Sequence, residues 1–456
     1  MKKPMIRRKI SAVAILFVIL YTYSATAFGA PQGADASAPP ELKSQYALLT
    51  DQKTGKVLYE KNSHQKAYPA SLTKILTALL ILENVDLKEN VTVGKEIGLV
   101  EQDASDAGLF EGEKLTGAEL LWALMLPSGN DAAYTAGVYI ARKKTGNSSM
   151  GIPEAVKYFS ELMNSRAREI GAKESNFVNP DGYPDDNHYS TAYDMALISR
   201  EAMKLDFFKE VVSTYSYEKN YDTGSKKGSI TWYNKNLLIN KKSKYYYEYA
   251  KGIKTGHTNA AGYCLAAYAE MDDRAFISVV MKGDSEETRC LDTTALFQYT
   301  FSNFKHHTFV KKGEAVSTAK VVRKYFGDSV DLNIVSGTEY TDILMEKDIA
   351  SVKRTIEWDK SLLKPGEADT AQIKLVGPIS DGQVVGKIKY TLDGAVLSES
   401  DLVASGDALK GDFTDRIVKI LDGVIAHKIV ILICLAVLAI LIMTLIIYSK
   451  RKRKAQ

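Results

Sequence analysis

Apolar residues recur every three to four positions over residues 72–85, 117–126, 131–143, 152–170 and 191–203, the spacing that gives a helix one face to bury. Ahead of them, residues 46–50 and 56–59 are strand-like and flank Thr54-Gly55, which predicts a hairpin. Strand patterns return at 249–254, 263–270 and 274–282, the last two meeting at a Met-Asp-Asp-Arg turn, and a helix over 288–303 follows. Terminal strands around a helical middle predict an α/β domain of the α+β kind, with one sheet built from both ends of residues 41–305.

From residue 306 the pattern shortens to β-rich runs with turn signals, such as 383–391, then Asp393-Gly394, then 395 onward, and predicts a small all-β domain over 306–404. Residues 405–428 lead as an amphipathic stalk into 429–448, an uncharged stretch of 20 residues, long enough as a helix to cross a hydrocarbon layer of about 30 Å. The basic tail 449–456 follows at once, and the positive-inside tendency puts it in the cytoplasm and the preceding domains outside. The opposite end, 1–27, has a basic start, an apolar run and a close on Ala25-Thr26-Ala27, the form of a cleavable secretory signal, with an uncleaved anchor as the alternative. A linker rich in Ala, Pro, Gly and Ser covers 28–40.

Composition changes this picture in two places. The basic ends hold ten of the 59 Lys and Arg and none of the 55 acidic residues, so the segment between them is net acidic. The positive total is therefore a consequence of topology and not a nucleic-acid footprint. Cys264, Cys290 and Cys434 form neither a disulfide framework nor a metal-ligand spacing; the first two read as buried thiols, with a Cys264–Cys290 pair as the alternative.

Three strings then stand in one order: Ser71-Leu72-Thr73-Lys74, Ser128-Gly129-Asn130 and Lys254-Thr255-Gly256. Alone each is weak, since Ser-x-x-Lys begins at seven places and Lys-Thr-Gly also starts at Lys53 and Lys144. Context separates them. The Lys53 copy sits in the hairpin turn, and the Lys144 copy closes a helix with the usual Lys and Gly. Ser71 follows Pro69-Ala70 and opens a very apolar helix, with Lys74 one turn on and on the same face. Lysine is a base near neutral pH only if burial and a neighbouring cation lower its pKa, and Lys254 is a candidate for that cation. Ser128 and Asn130 fall on a loop between helices, where a hydroxyl can relay a proton and an amide can hold Lys74 and a substrate peptide bond. Lys254 ends a predicted strand, and Thr255 and Gly256 beside it suit an extended peptide ending in a carboxylate. Together the strings outline a serine acyl-transfer site whose base is a lysine.

At this point the chain resembles the penicillin-binding serine DD-peptidases, and among them the low-molecular-mass D-alanyl-D-alanine carboxypeptidases. The resemblance spans about residues 42–304 and includes YPASLTK, LPSGNDAA, GIKTGHT and FVNPDGYPDDNHYSTAYDMALISR. It implies a β-lactamase/DD-peptidase-like catalytic domain, with an antiparallel sheet flanked by helices and an all-helical subdomain. It also implies that Ser71 is acylated, Lys74 is its base, Ser128 and Asn130 relay the proton, and Lys254 with Thr255 clamps a carboxylate. The amides of Ser71 and His257 would form the oxyanion hole beside Gly256. His188 and the Asn179-Pro180-Asp181-Gly182 turn match the family's text but are expected to be structural, and the aromatic run from Tyr245 to Tyr249 could stack on glycan or pack in the core.

The implied reaction removes the terminal D-alanine from peptidoglycan stem pentapeptides, with β-lactams as covalent inhibitors and no cofactor. The rivals are transpeptidase or endopeptidase activity at the same site, a β-lactamase, and a non-catalytic β-lactam sensor, for which the eight residues after Tyr448 offer little room. The oligomeric state is left open.

Overall fold

The computed structural model describes residues 38–222, 227–323, 329–364, 373–410 and 413–453. The expected signal sequence, 1–27, and most of the linker lie outside them. The chain forms two compact units divided between Asn303 and Phe304.

In the first unit, β1 (Tyr46–Asp51) and β2 (Val57–Lys61) form the expected hairpin, whose turn uses Gly55 at φ +76°. After a 3-10 turn at Ala70–Thr73 comes α1 (Lys74–Asn84), in which every residue from Lys74 to Ile81 is buried. The short pair β3 (Asn90–Thr92) and β4 (Lys114–Thr116) precedes α2 (Gly117–Met125). The start of α2 is fixed by reciprocal capping between Thr116 and Glu119.

Next are α3 (Asn130–Thr145), α4 (Ile152–Ile170), α5 (Ala192–Ala202) and α6 (Asp206–Ser213). Both α3 and α4 end on a left-handed glycine, Gly146 and Gly171, so the Lys144-Thr145-Gly146 string is a helix stop, as its context indicated.

A hairpin of β5 (Ser216–Asp222) and β6 (Lys227–Tyr233) follows, then β7 (Ala250–Thr258), β8 (Gly262–Met271), β9 (Arg274–Gly283) and α7 (Glu286–Asn303). The main sheet is antiparallel throughout, in the order β2-β1-β9-β8-β7, and so joins the two ends of the domain. Its core includes Leu48, Ala266, Ile277 and Val279, continuous with the apolar side chains of α1, α2 and α3.

Lys254 corrects one expectation. It lies in the middle of β7 and does not end a strand, because pairing with β8 continues through Gly256↔Cys264 to Thr258↔Gly262. Polar Thr255, Gly256 and His257 hid the continuation. The run from Tyr245 to Tyr249 is a loop in which Tyr247 and Tyr249 pack on Phe297 and Phe301, so the expected strand starts at Ala250 and not at 249. Cys264 and Cys290 are both buried free thiols.

The second unit holds β10 (Phe304–Val310), β11 (Ala315–Val322), β12 (Ser329–Ser336), β13 (Tyr340–Met345), the turn α8 (Glu346–Ile349), β14 (Lys353–Trp358), β15 (Lys374–Val376), β16 (Val384–Leu392) and β17 (Ala395–Ser405). Six of the strands pair in the order β14-β16-β17-β12-β11-β15, over a core containing Ile334, Val385, Ile388 and Leu402. The expected stalk is not a separate element. One helix, α9, runs over Phe413–Arg453. Its Arg416–Ile447 segment of 32 residues contains an 18-residue stretch with a mean hydropathy of 3.4 and no buried residue.

Candidate active site

The site is built where β7 passes the turn that precedes α1. Ala70 adopts φ +49°, and a Cβ on Gly182 would overlap the Ala70 carbonyl, so the 179–183 turn can press on the Ala70–Thr73 segment only through a glycine. Gly256 makes the matching approach from β7: a methyl there would lie 3.0 Å from the Pro69 carbonyl and 3.2 Å from the Ser71 amide nitrogen. The nucleophile candidate is thus held between two backbones.

Lys74 is fully buried, and its Nζ lies 3.0 Å from Ser71 Oγ, 2.7 Å from Asn130 Oδ1 and 2.8 Å from the Asp181 carbonyl oxygen. Burial lowers its pKa to about 8, the Lys235 ammonium adds to the fall, and Asp181 and Asp131 oppose it. The hydrogen-bond inventory then assigns each partner a role. Asn130 Oδ1 and the Asp181 carbonyl can only accept, so a neutral amine spends both N–H groups on them and turns its lone pair to the Ser71 hydroxyl.

The supports of this triangle come from three elements. Thr77 Oγ1 donates to the Pro180 carbonyl at 2.6 Å, and Asn179 ties its own turn through Gly182 N and the Tyr183 carbonyl. His188 accepts from the Val178 amide at Nδ1 and so donates from Nε2 to Thr73 Oγ1, at 2.8 Å. Burial lowers the pKa of His188 to about 4, which keeps it neutral. Ser128 sits at φ +66° between α2 and α3, and Asn130 begins α3. The Asp131 carboxylate accepts from Ala107, Leu109 and Ala132 amides, and the Asn130 amide donates to the Ser105 carbonyl, which fixes the 105–109 loop across the cleft.

The resulting cleft encloses about 890 Å³. Ser71, Ser128, Asn130, Thr255, Gly256 and His257 line it, while Lys74 and Lys254 are buried behind its wall. The His257 ring is exposed and packs on Tyr263. Lys254 Nζ donates to the Thr255 carbonyl at 2.9 Å. Its pKa falls well below the ordinary lysine value through burial first, and the charges acting on it are three more cations, Lys74, Lys235 and Arg289. Such a group favours an anionic ligand.

Comparison with known proteins decides the family. Residues 33–285 match the peptidase S11 family model, described as D-alanyl-D-alanine carboxypeptidase, and 304–409 match the C-terminal domain of penicillin-binding protein 5. The chain belongs to the peptidase S11 family.

Among curated S11 relatives, the D-alanyl-D-alanine carboxypeptidase DacF of Bacillus subtilis is 30% identical across 89% of this chain and 96% of its own length. DacA of Haemophilus influenzae is 31% identical across 86% and 91%. The solved structure of penicillin-binding protein 5 from H. influenzae superposes with a TM-score of 0.62 at 28% identity, covering 81% of this chain and 99% of that one. The Streptomyces K15 DD-transpeptidase gives 0.54 at 32% identity, covering 58% and 99%. The mixed α/β domain followed by an all-β domain is thus the penicillin-binding-protein-5 arrangement, and the chain is a serine carboxypeptidase of the D-alanyl-D-alanine class. The C-terminal apolar helix fits a membrane anchor.

Sequence reasoning missed two residues that the S11 fold brings to the cleft, Arg289 and Lys235, and gave a third, Asp181, only a structural part. Arg289, buried on α7, reaches the Gly256 carbonyl at 3.3 Å and pairs with Glu286 at 2.7 Å. Lys235 donates to Ser105 Oγ at 2.7 Å from the opposite wall. Asp181 contributes its carbonyl to Lys74. Lys235 and Asp181 sit in polar sequence that reads as turn and Arg289 on a helix face that reads as exposed, and only the packing of distant elements brings them to the cleft. Lys254 was expected as the cation that perturbs Lys74, but the cation that lowers Lys74 is Lys235, while Lys74 itself acts on Lys254.

Proposed function

We propose that this chain removes the C-terminal D-alanine from peptidoglycan stem pentapeptides through an acyl-enzyme on Ser71. The observation that carries the proposal is the buried Lys74 amine, poised 3.0 Å from Ser71 Oγ with its other hydrogens committed to Asn130 and Asp181.

Ser71 Oγ attacks the carbonyl carbon of the penultimate D-alanine and passes its proton to Lys74 Nζ. The tetrahedral oxygen is held by the Ser71 and His257 amides. Collapse breaks the peptide bond, and a proton relayed through Ser128 leaves with the D-alanine amine. Water then attacks the ester, and its proton returns Ser71 to the hydroxyl form. The terminal carboxylate is bound by Lys254 and Thr255, with Arg289 and Lys235 adding charge. β-Lactams, an amide and a carboxylate in similar relation, acylate the same oxygen.

In this reading the apolar helix spans the cytoplasmic membrane with the basic tail inside and the cleft facing the cell wall. Incubation of the detergent-solubilised protein with a pentapeptide, with and without an added acceptor amine, tests the reaction. Free D-alanine and tetrapeptide in equal amounts are expected in both. Products consisting only of acceptor-linked peptide would establish transpeptidation instead, the activity named for the Streptomyces K15 relative.

A further inference from the structure

Arg289 reaches the cleft from α7 with its orientation already fixed. Nη1 donates to the Gly256 carbonyl at 3.3 Å, and the guanidinium carbon stands 5.4 Å from the centre of the Tyr263 ring, so β7 and β8 hold the side chain. Nε is buried with no acceptor among the described residues, which leaves Nη1 and Nη2 as the donors a ligand can meet. Nη2 is engaged as well, by Glu286 Oε1 at 2.7 Å.

Glu286 differs from the other partners of Arg289. It is the first residue of α7, its side chain is 48% exposed, and it lines the same cleft as Ser71 and Thr255. An i,i+3 ion pair this exposed adds little stability, and the guanidinium does not need it for position. Its effect is on charge. Lys254, Lys235 and Arg289 repel one another at this end of the cleft, and a substrate carboxylate that comes to Arg289 meets the Glu286 carboxylate already there.

We propose that Glu286 is a specificity-determining residue: it holds Arg289 before substrate binds and yields that place to the terminal carboxylate, a reading that rests on the proposed substrate. Two carboxylates on one guanidinium repel, and Glu286 is the one that can turn into solvent. The exchange selects among anions. A small anion gains only what Glu286 gives up, whereas a peptide whose carboxylate also reaches Lys254 and Thr255 gains those contacts besides.

Titration calorimetry of the full-length Ser71→Ala protein tests this with two ligands, the pentapeptide ending in free D-alanine and the same peptide ending in D-alaninamide. Glu286→Gln in that background removes the competing charge and keeps the side-chain shape. It should tighten binding of the acid-ended peptide about fivefold. Binding of the amide-ended peptide should stay unchanged, which also reports an intact cleft. Glu286→Ala, a second route to the same loss of charge, should gain at least as much. The neighbouring Glu287 is 58% exposed and pairs with Lys244 at 3.6 Å; Glu287→Gln should shift either ligand by less than about twofold. Weaker or unchanged binding of the acid-ended peptide in both Glu286 variants would overturn the proposal and make Glu286 a support for Arg289. Equal gains for the two peptides, or an equal gain in Glu287→Gln, would overturn it as a general effect of surface charge. Failure of the reaction itself reads out separately, as no D-alanine released from the acid-ended peptide by the wild type.

Discussion

The pH dependence of acylation follows directly from the burial of Lys74. An ordinary lysine near 10.5 would be about 0.03% neutral at pH 7, whereas a group at about 8 is about 9% neutral, a gain of roughly 300-fold in the base form. Because the neutral amine takes the Ser71 proton, the second-order rate of acylation by penicillin should climb about tenfold per pH unit below the bend. It should level near pH 9, for a total gain of roughly tenfold over pH 7. Lys235 supplies a like charge, and removing it lets Lys74 hold its proton longer, so Lys235→Ala should move the bend to higher pH. Lys74→Arg keeps the charge but cannot release the proton, and should cost at least about a thousandfold at every pH. Stopped-flow acylation between pH 6 and 9.5 is the assay. A flat profile, or a bend above pH 10, would refute the reasoning.

Two further outcomes test the frame around that base. Gly256→Ala places a methyl 3.0 Å from the Pro69 carbonyl and 3.2 Å from the Ser71 amide, so β7 must move by tenths of an ångström; acylation should fall roughly tenfold or more in the same assay, with little change in melting temperature. The neutral His188 is held below its unfolded value of 6.5, at about 4, so the unfolded chain binds the extra proton and stability falls as pH drops through that window. Between pH 7.5 and 4.5 this group should remove about 2.5 kcal/mol, and denaturation curves of His188→Gln should be flatter over the same range by about that amount.

The larger part of the fold was readable because its signals are local. The apolar periodicity of α1 and the turn at Gly55 both sit in short windows of sequence, and so do the left-handed stops at Gly146 and Gly171. What stayed hidden depends on tertiary context. The β5–β6 hairpin is mostly polar because only one face packs, and its buried positions include Lys219, neutralised by Glu113 from 106 residues away. The strand end expected at Lys254 came from the same cause, since polar β7 residues pair normally while facing a cleft.

At the site, motif spacing was enough to find Ser71, Lys74, Ser128, Asn130 and Lys254, because two of the three contacts of Lys74 involve motif side chains. The third is a backbone carbonyl, which carries no residue signature. Arg289 escaped notice because Glu286 on the same helix makes it look like an exposed i,i+3 pair.

The central claim is that Ser71 forms the acyl-enzyme. Peptide mapping by mass spectrometry after brief exposure to penicillin tests it most directly. The account predicts one penicilloyl group, on the peptide that holds Ser71, and neither adduct nor D-alanine release in Ser71→Ala. An adduct on another residue, or undiminished D-alanine release by Ser71→Ala, would contradict it.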